Sequence, residues 1–553
     1  MKALLGCFLA LLACAPTTTL SSATTSPTVA PTTRVSESAG SSSSTTCWEA
    51  APGPGANVRF EDATEAMGLV DPLLGMRGHA AAWGDVNADG WLDLTVGTFG
   101  GASAETYEAR GAEGPSPDRL LLGGSEGFSL VETFVDGAAR TSGAAFADLD
   151  NDADVDLVLS RYPNDRAPAP TVLMDNQGGQ FREVASSGLD LSSLAGRSVG
   201  VLDFDRDGLL DLLLVADPRG DGSSQLLHNQ GGLQFTDVTE NAFEAGVLGL
   251  GIATADLNDD SYTDIFIAGS NRLFVGNASG RLEEVASDTF QWEVFGPEDD
   301  VAGVAIADLN RDLRPDLVVG HHFNSTLSRG SLVPIRIYLN QTTEAGTDPS
   351  FTDITEEAGM PGLPTKAPHI EILDIDNDGW PDILATASAG ELPALFMHQG
   401  LTDGSPRFTT PEGLGGAQYW VTGPAADVNR DGKLDVFLAE WDPALPSKLL
   451  LNKGKSGNWI SVEIDATLGG GIGASIAVYE PGRGGDLDGL LGMREITASS
   501  GYTAGAAPWA HFGLGDMAAV DLRISLPIGE TLAVDDVAAN RHLRLPNGCV
   551  TPP

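Results

Sequence analysis

A nine-residue stretch, Asp203-Phe204-Asp205-Arg206-Asp207-Gly208-Leu209-Leu210-Asp211, puts carboxylates at positions 1, 3, 5 and 9, and with its variants it occurs seven times in the chain. Three or four carboxylates within nine residues repel one another unless a cation lies among them. Each copy is therefore a candidate cation loop, with side-chain oxygens at positions 1, 3, 5 and 9 and a backbone carbonyl at position 7 as ligands. The first loop offers Asp85, Asn87, Asp89, Trp91 and Asp93, and the second Asp148, Asp150, Asp152, Asp154 and Asp156. The third offers Asp203, Asp205, Asp207, Leu209 and Asp211; the fourth Asp256, Asn258, Asp260, Tyr262 and Asp264. Asp308, Asn310, Asp312, Arg314 and Asp316 make the fifth, Asp374, Asp376, Asp378, Trp380 and Asp382 the sixth, and Asp427, Asn429, Asp431, Lys433 and Asp435 the seventh.

Hard oxygen donors select calcium over zinc or copper, so up to seven structural Ca²⁺ ions are expected. The donor order resembles the start of an EF-hand loop, but flanking helices are missing. Apolar runs such as Leu212-Leu213-Leu214-Val215 and Ile265-Phe266-Ile267-Ala268 follow instead and read as buried strands. Position 6 needs backbone angles that favour glycine, and Gly90, Gly208, Gly379 and Gly432 supply it. Ala153, Ser261 and Leu313 occupy that position in the other loops. The four-carboxylate loops at Asp203 and Asp374 should bind best and the Asp308 loop, with bulky Leu313, worst.

The first aspartates stand 52 to 66 residues apart, a spacing that suits four short strands per unit. In the first unit these are Gly78 to Gly84, Leu92 to Thr98, Arg119 to Gly123 and Phe128 to Thr133. Third strands recur as VLMDNQGG, QLLHNQGG and KLLLNKG, and fourth strands as FREVA, FTDVT and FTDIT. The last unit lacks its fourth strand, while one stands orphaned at Phe60-Glu61-Asp62-Ala63-Thr64. Closing the ring with it leaves no raw edges, so a seven-bladed β-propeller over residues 58–455 is favoured over an open solenoid. Alternating runs at Trp459 to Ile464, Ile476 to Tyr479 and Leu522 to Leu526 add a small C-terminal β-sandwich-like domain over 456–547, making the chain all-β.

The loops and Phe-x-Asp-x-Thr strands resemble the FG-GAP/VCBS repeats of integrin α-type propellers. Gly457-Asn458-Trp459, Gly471-Ile472-Gly473-Ala474, Ser500-Gly501-Tyr502 and His511-Phe512-Gly513-Leu514-Gly515 resemble the ASPIC/UnbV domain. The combination is similar to the bacterial cartilage acidic protein-like family. The resemblance implies a fold and leaves the function of the C-terminal domain open.

The N-terminus points to export. Residues 1–14 carry a lysine and a short apolar run ending Leu11-Leu12-Ala13-Cys14, which resembles a lipobox with Cys14 as the lipidated residue. Residues 15–57, rich in Thr, Ser and Pro, read as a flexible tether to the bacterial envelope, with the body facing periplasm or exterior. Cys47 and Cys549 remain at either end of the body and are expected to form a disulfide in an oxidising compartment. Asn277, Asn324 and Asn340 stand in glycosylation sequons.

A formal net charge of −46 excludes nucleic acid and leaves membrane contact to the lipid anchor alone. No His-Glu-x-x-His, Gly-x-Ser-x-Gly or phosphate loop is present, and His321-His322 reads as an exposed pair. The starts of the blades are mostly Ala, Gly and Ser, as in Gly143-Ala144-Ala145, which argues against a catalytic channel. The expected function is a monomeric, non-enzymatic surface binding or adhesion module that recognises an extracellular protein or glycan through a propeller face. The alternative is a propeller enzyme, quinone-dependent dehydrogenase-like or a lyase, with its active site at the central channel.

Overall fold

Each acidic loop is the turn between the first and second strands of a blade. The computed structural model describes residues 58–546 apart from 286–299, 324–331, 388–392, 410–417, 466–470 and some single positions, together with two earlier strands. Cys14, Cys549 and Asn324, and with them the expected lipid anchor and disulfide, lie outside the described residues. The first blade is Gly78–Gly84, Asp93–Thr98, Arg119–Leu122 and Ser129–Leu130, each antiparallel to the next. The next four blades begin at Thr141–Ala147, Gly196–Leu202, Ile252–Ala255 and Asp300–Ala307 and repeat the order.

The sixth blade departs from expectation. After Ile370–Leu373, Asp382–Ala385 and Ala394–Phe396 the chain leaves the sheet, and His398–Thr402 pairs with Ser405–Phe408 as a separate hairpin. The seventh consists of Ala425–Ala426, Asp435–Leu438 and Lys448–Asn452, completed as expected by Phe60–Asp62, with Phe60 opposite Asn452 and Asp62 opposite Leu450. Last joins first through packing too: Trp83 sits among Val428, Phe437 and Leu449, and its Nε1 donates to Pro424 O at 3.2 Å. Inner strands crowd together around the axis, which explains their small residues. A Cβ on Gly143 would lie 2.2 Å from Arg197 O.

Residues after 456 form two facing sheets. One contains Ser475–Tyr479, Leu490–Glu495, Ala519–Ser525 and Thr531–Ala538, the other Asn458–Ile464, Trp509–Gly515 and Arg541–Leu545. Val462, Val478, Leu522, Ile524, Phe512 and Leu543 close the core between them, as a sandwich requires. The tether reading of 15–57 needs correction at two places. Thr33–Val35 adds parallel to Thr531–Ala538, and Thr46–Glu49, which carries Cys47, adds antiparallel to Arg541–Leu545. Ladder addition uses backbone groups, so a polar sequence unable to build a core can still occupy a sheet edge.

The sandwich sits on the acidic-loop side of the ring. Gly457 N donates to Asp376 O and Gly515 N to Asn377 O, both at 2.9 Å. From it a finger, Ser500 to Gly505, enters the central channel and touches every blade. Ala504–Gly505 pairs parallel with Ala81 and Ala82 of the first blade, and a Cβ on Gly505 would meet Ala144 O of the second. Thr503 N donates to Ser198 Oγ in the third, Ile252 N of the fourth donates to Gly501 O, and Gly501 lies against Val304 O of the fifth. Ser500 Oγ donates to Glu371 in the sixth, and Thr422 Oγ1 in the seventh donates to Tyr502 O at 3.2 Å.

His321 lies within strand Asp316–Phe323 and is 2% exposed, so the reading of His321-His322 as an exposed pair is corrected for His321. Asn340 is fully buried and thus no glycosylation acceptor; it belongs to a set of third-strand residues that staple neighbouring blades. Nδ2 of Asn176, Asn229, Asn340 and Asn452 donates to Val86, Leu149, Leu257 and Ile375 O of the preceding acidic loop, at 2.7–2.8 Å. Replacing Asn229 with Ala removes donors to two buried carbonyls, Leu149 O and Leu210 O. Asn229→Ala should destabilise the protein by about 1–3 kcal/mol, read as a lowered melting temperature. An unchanged melt would show that the staple carries no stability.

Candidate metal centres

All seven loops share one hydrogen-bond scheme. The position-1 carboxylate accepts from the N–H groups of positions 5 and 6, as Asp203 does from Asp207 (3.1 Å) and Gly208 (3.0 Å). The position-5 carboxylate accepts from position 7, so Trp91, Asp154, Leu209, Tyr262, Arg314, Trp380 and Lys433 each donate an N–H there. Position 9 holds two strands: Asp211 accepts from Phe204 N at the loop start and from Asn229 N on the third strand, at 3.2 and 2.8 Å. The same double bond forms at Asp93, Asp156, Asp264, Asp316, Asp382 and Asp435.

Positive φ is required at position 6, as expected, and also at position 4. Leu313 has φ 65° and Ala153 76°, while Ala88, Asn151, Arg206, Asp259, Arg311, Asn377 and Arg430 lie between 55° and 61°. Leu313 therefore adopts the glycine-like angle at a cost of order 1 kcal/mol.

In the second, third and sixth loops one carboxylate oxygen from each of positions 1, 3 and 9 lies within 4.8 Å of the others: Asp148, Asp150 and Asp156; Asp203, Asp205 and Asp211; Asp374, Asp376 and Asp382. In the first, fourth, fifth and seventh loops an Asn takes position 3: Asn87, Asn258, Asn310 and Asn429. Position 5 is less central, since one oxygen is spent on its turn. In the third loop Asp207 instead groups with Asp205 and His228, whose Nε2 lies 3.2 Å from Asp205 Oδ2.

These oxygens fit a cation. Asp150 Oδ1, Asn258 Oδ1 and Asn310 Oδ1, all at position 3, are buried with no hydrogen-bond donor. Burial, reinforced by the neighbouring Asp205 and Asp203, pushes Asp211 up to about 9 even though Asn229 and Phe204 donate to it. Burial likewise raises Asp93 to about 8 and Asp156 to about 7. Asp427 is pushed to about 7 by burial and then by Asp431. Without a cation these carboxylates hold protons near neutrality; with one they ionise as ligands. Several acidic clusters are thus arranged to bind metal ions.

Position 7 was expected to contribute only its backbone carbonyl and position 4 nothing, yet their side chains join adjacent loops. Arg311 stacks 3.5 Å over Trp380 and donates to Gly379 O, Arg430 lies 3.9 Å over Trp91, and Arg206 5.0 Å over Tyr262. Each pair links position 4 of one loop to position 7 of the next, and Arg430–Trp91 does so across the ring closure. The visible signal was arginine at position 4 in the third, fifth and seventh loops, followed by an aromatic at position 7 in the next.

The far end of the channel also holds more than small residues. His79 and Arg197, near the starts of the first and third blades, converge on Tyr502 of the finger. The Arg197 guanidinium lies 3.4 Å from His79 Nε2 and 3.5 Å from the Tyr502 hydroxyl, and its Nε pairs with Asp217 at 2.5 Å. All four residues are buried, so the charges anchor the finger.

A model of the FG-GAP-like repeat matches residues 148–214, 203–267, 260–319 and 374–438, and one described as ASPIC and UnbV matches 469–550. Cartilage acidic protein 1 of Mus musculus is 26% identical over 499 residues, covering 82% of this chain and 71% of that protein. The Homo sapiens protein is 25% identical over 497 residues, covering 82% and 69%. Integrin alpha-V of Gallus gallus is 29% identical over 234 residues, covering 38% of this chain and 22% of the integrin. The chain is built of FG-GAP repeats and an ASPIC/UnbV domain and is homologous to cartilage acidic protein 1 and to integrin α-chains.

Proposed function

We propose that the chain is an exported, calcium-stabilised binding or adhesion module, non-enzymatic, that recognises an extracellular protein or glycan. The observation that carries this reading is the division of the ring. The loop side is covered by the sandwich and its finger enters the channel, which supports the opposite face as the one available to a partner. At the centre of that face Arg140 lies 4.3 Å from the ring centres of both Phe99 and Tyr162, and Arg77 4.0 Å over Trp441. Aromatic rings and guanidiniums are the residue types enriched where binding energy concentrates. Export is supported by the N-terminal apolar run, and among the described residues no helix is long and apolar enough to cross a membrane.

Calcium is supported by the all-oxygen donor set and the orphaned position-3 oxygens. With free calcium at ten times the dissociation constant, each site would add about 1.4 kcal/mol. The module should retain a protein or glycan from cell-surface extract in calcium and release it in chelator. Equal retention of nothing in both would overturn the binding reading.

The pH response should change sign with metal. Folded-state pKa values of the metal-free loop carboxylates lie above their unfolded values. Their stabilisation is full below the unfolded pKa of about 4 and is lost as pH rises through about 7 to 9. Metal-stripped protein should therefore melt higher at pH 6 than at pH 8.5, and calcium-loaded protein lower, because protons compete with the ion. Parallel trends would refute metal binding by these carboxylates. Leu313→Gly should relieve the positive-φ strain and stabilise the calcium-loaded protein by about 1 kcal/mol; a lower melting temperature would contradict this.

A further inference from the structure

Between the inner strands of blades four to seven and the sandwich lies a cavity of about 160 Å³. Small side chains, Ala255, Ala305 and Ala426 among them, leave the space on the propeller side. Three ionisable groups line it: Arg494 and Glu495 from the sandwich, and Glu371 from the sixth blade. All three are partly buried in its wall.

Each has bonding capacity unspent among the described residues. Arg494 donates from Nη1 to Met493 O at 3.0 Å and has no carboxylate partner. Glu371 Oε2 meets His369 Nε2 at 3.1 Å and accepts from the Ser500 hydroxyl, while its Oε1 has no donor. Glu495 Oε2 accepts from Asp256 N at 3.2 Å, and its Oε1 likewise has no donor. One guanidinium and two carboxylates share the cavity wall, yet neither carboxylate pairs with the guanidinium. A buried charge without a partner is strongly unfavourable. Arg494 feels Asp374, Asp308 and Asp382 of the acidic loops, but none of them lies within ion-pair distance of its guanidinium.

A molecule carrying separated opposite charges would satisfy both ends. A cavity of about 150 Å³ accommodates benzene, so this one takes roughly six to eight non-hydrogen atoms. We propose that the cavity is a binding site for a small zwitterion of the amino-acid class, its carboxylate held by Arg494 and its ammonium by Glu371 and Glu495. Trp509 gives the wall an apolar face for a short side chain. The site is separate from the partner-binding face and stands whether or not that reading does.

Native mass spectrometry of the full chain, with acid release of bound material, should find a small amino acid near one-to-one. After stripping, glycine, alanine, serine and valine at millimolar concentration should raise the melting temperature, and acetate or methylamine alone should do so less. Arg494→Gln should weaken calorimetric affinity by about 10- to 100-fold, the loss of a charge-assisted hydrogen bond. Should that variant misfold, Ala305→Leu keeps every charge and fills the cavity, and it should abolish binding with the far-UV circular dichroism unchanged. Absence of both a co-purified zwitterion and any melting shift, equal response to acetate and amino acids, or wild-type affinity in either folded variant would overturn the proposal.

Discussion

Seven buried position-9 carboxylates are the constraint on which the ring depends. Each accepts from the start of its loop and from a residue in or next to the third strand of its blade, in the sixth from His398 N just beyond it, so one side chain ties three segments together. A neutral amide in its place would offer a single acceptor oxygen for two backbone donors. The carboxylate therefore has a structural reason to be there that precedes any metal. Its cost is a negative charge in a poorly solvated place, next to others of the same sign. A cation would resolve that cost without disturbing the backbone bonds, because Asp150, Asn258 and Asn310 at position 3 each keep a buried oxygen that no donor reaches.

Fastening between blades works at two levels. Asparagines on the third strands bind the preceding loop's position-2 carbonyl, and arginines at position 4 cover the position-7 aromatic of the next loop. The first kind of contact is directional and buried; the second is broad and half-exposed, and tolerates small shifts between blades. Blades one and four present Gly123 and Gly276 where the others carry the stapling side chain. The staple is thus absent at two junctions, and one of them, between the seventh blade and the first, has Arg430 over Trp91 and Trp83 bonded to Pro424 O instead.

What was legible in the sequence was what repeats. Acidic loops, strand order and the orphaned Phe60–Asp62 strand could be read because the same spacing recurs and a missing member shows. Position 6 was legible because glycine alternates there with misfits such as Leu313; position 4 was not, because no glycine marks it although its φ is equally positive. The finger was recognisable as Ser500-Gly501-Tyr502 but not as a channel plug, since its partners lie as much as 424 residues away and follow no period. His321 looked exposed because adjacent histidines suggest a loop, while ring geometry put it in a strand. The edge strands at Thr33 and Thr46 left no signal, as backbone pairing asks little of side chains.

The acidic loops and the sandwich are bonded directly to each other. Asp376 O and Asn377 O, inside the sixth loop, receive the sandwich's N–H groups, Asp256 N of the fourth donates to Glu495, and Arg206 Nε of the third donates to Pro527 O. A loop that changed shape would move its sandwich partner, and with it the finger that touches all seven blades. Those loops hold shape through bonds to ionisable carboxylates. At the opposite end of the channel the buried Arg197 reaches both the finger's Tyr502 and the rings of Phe99 and Tyr162.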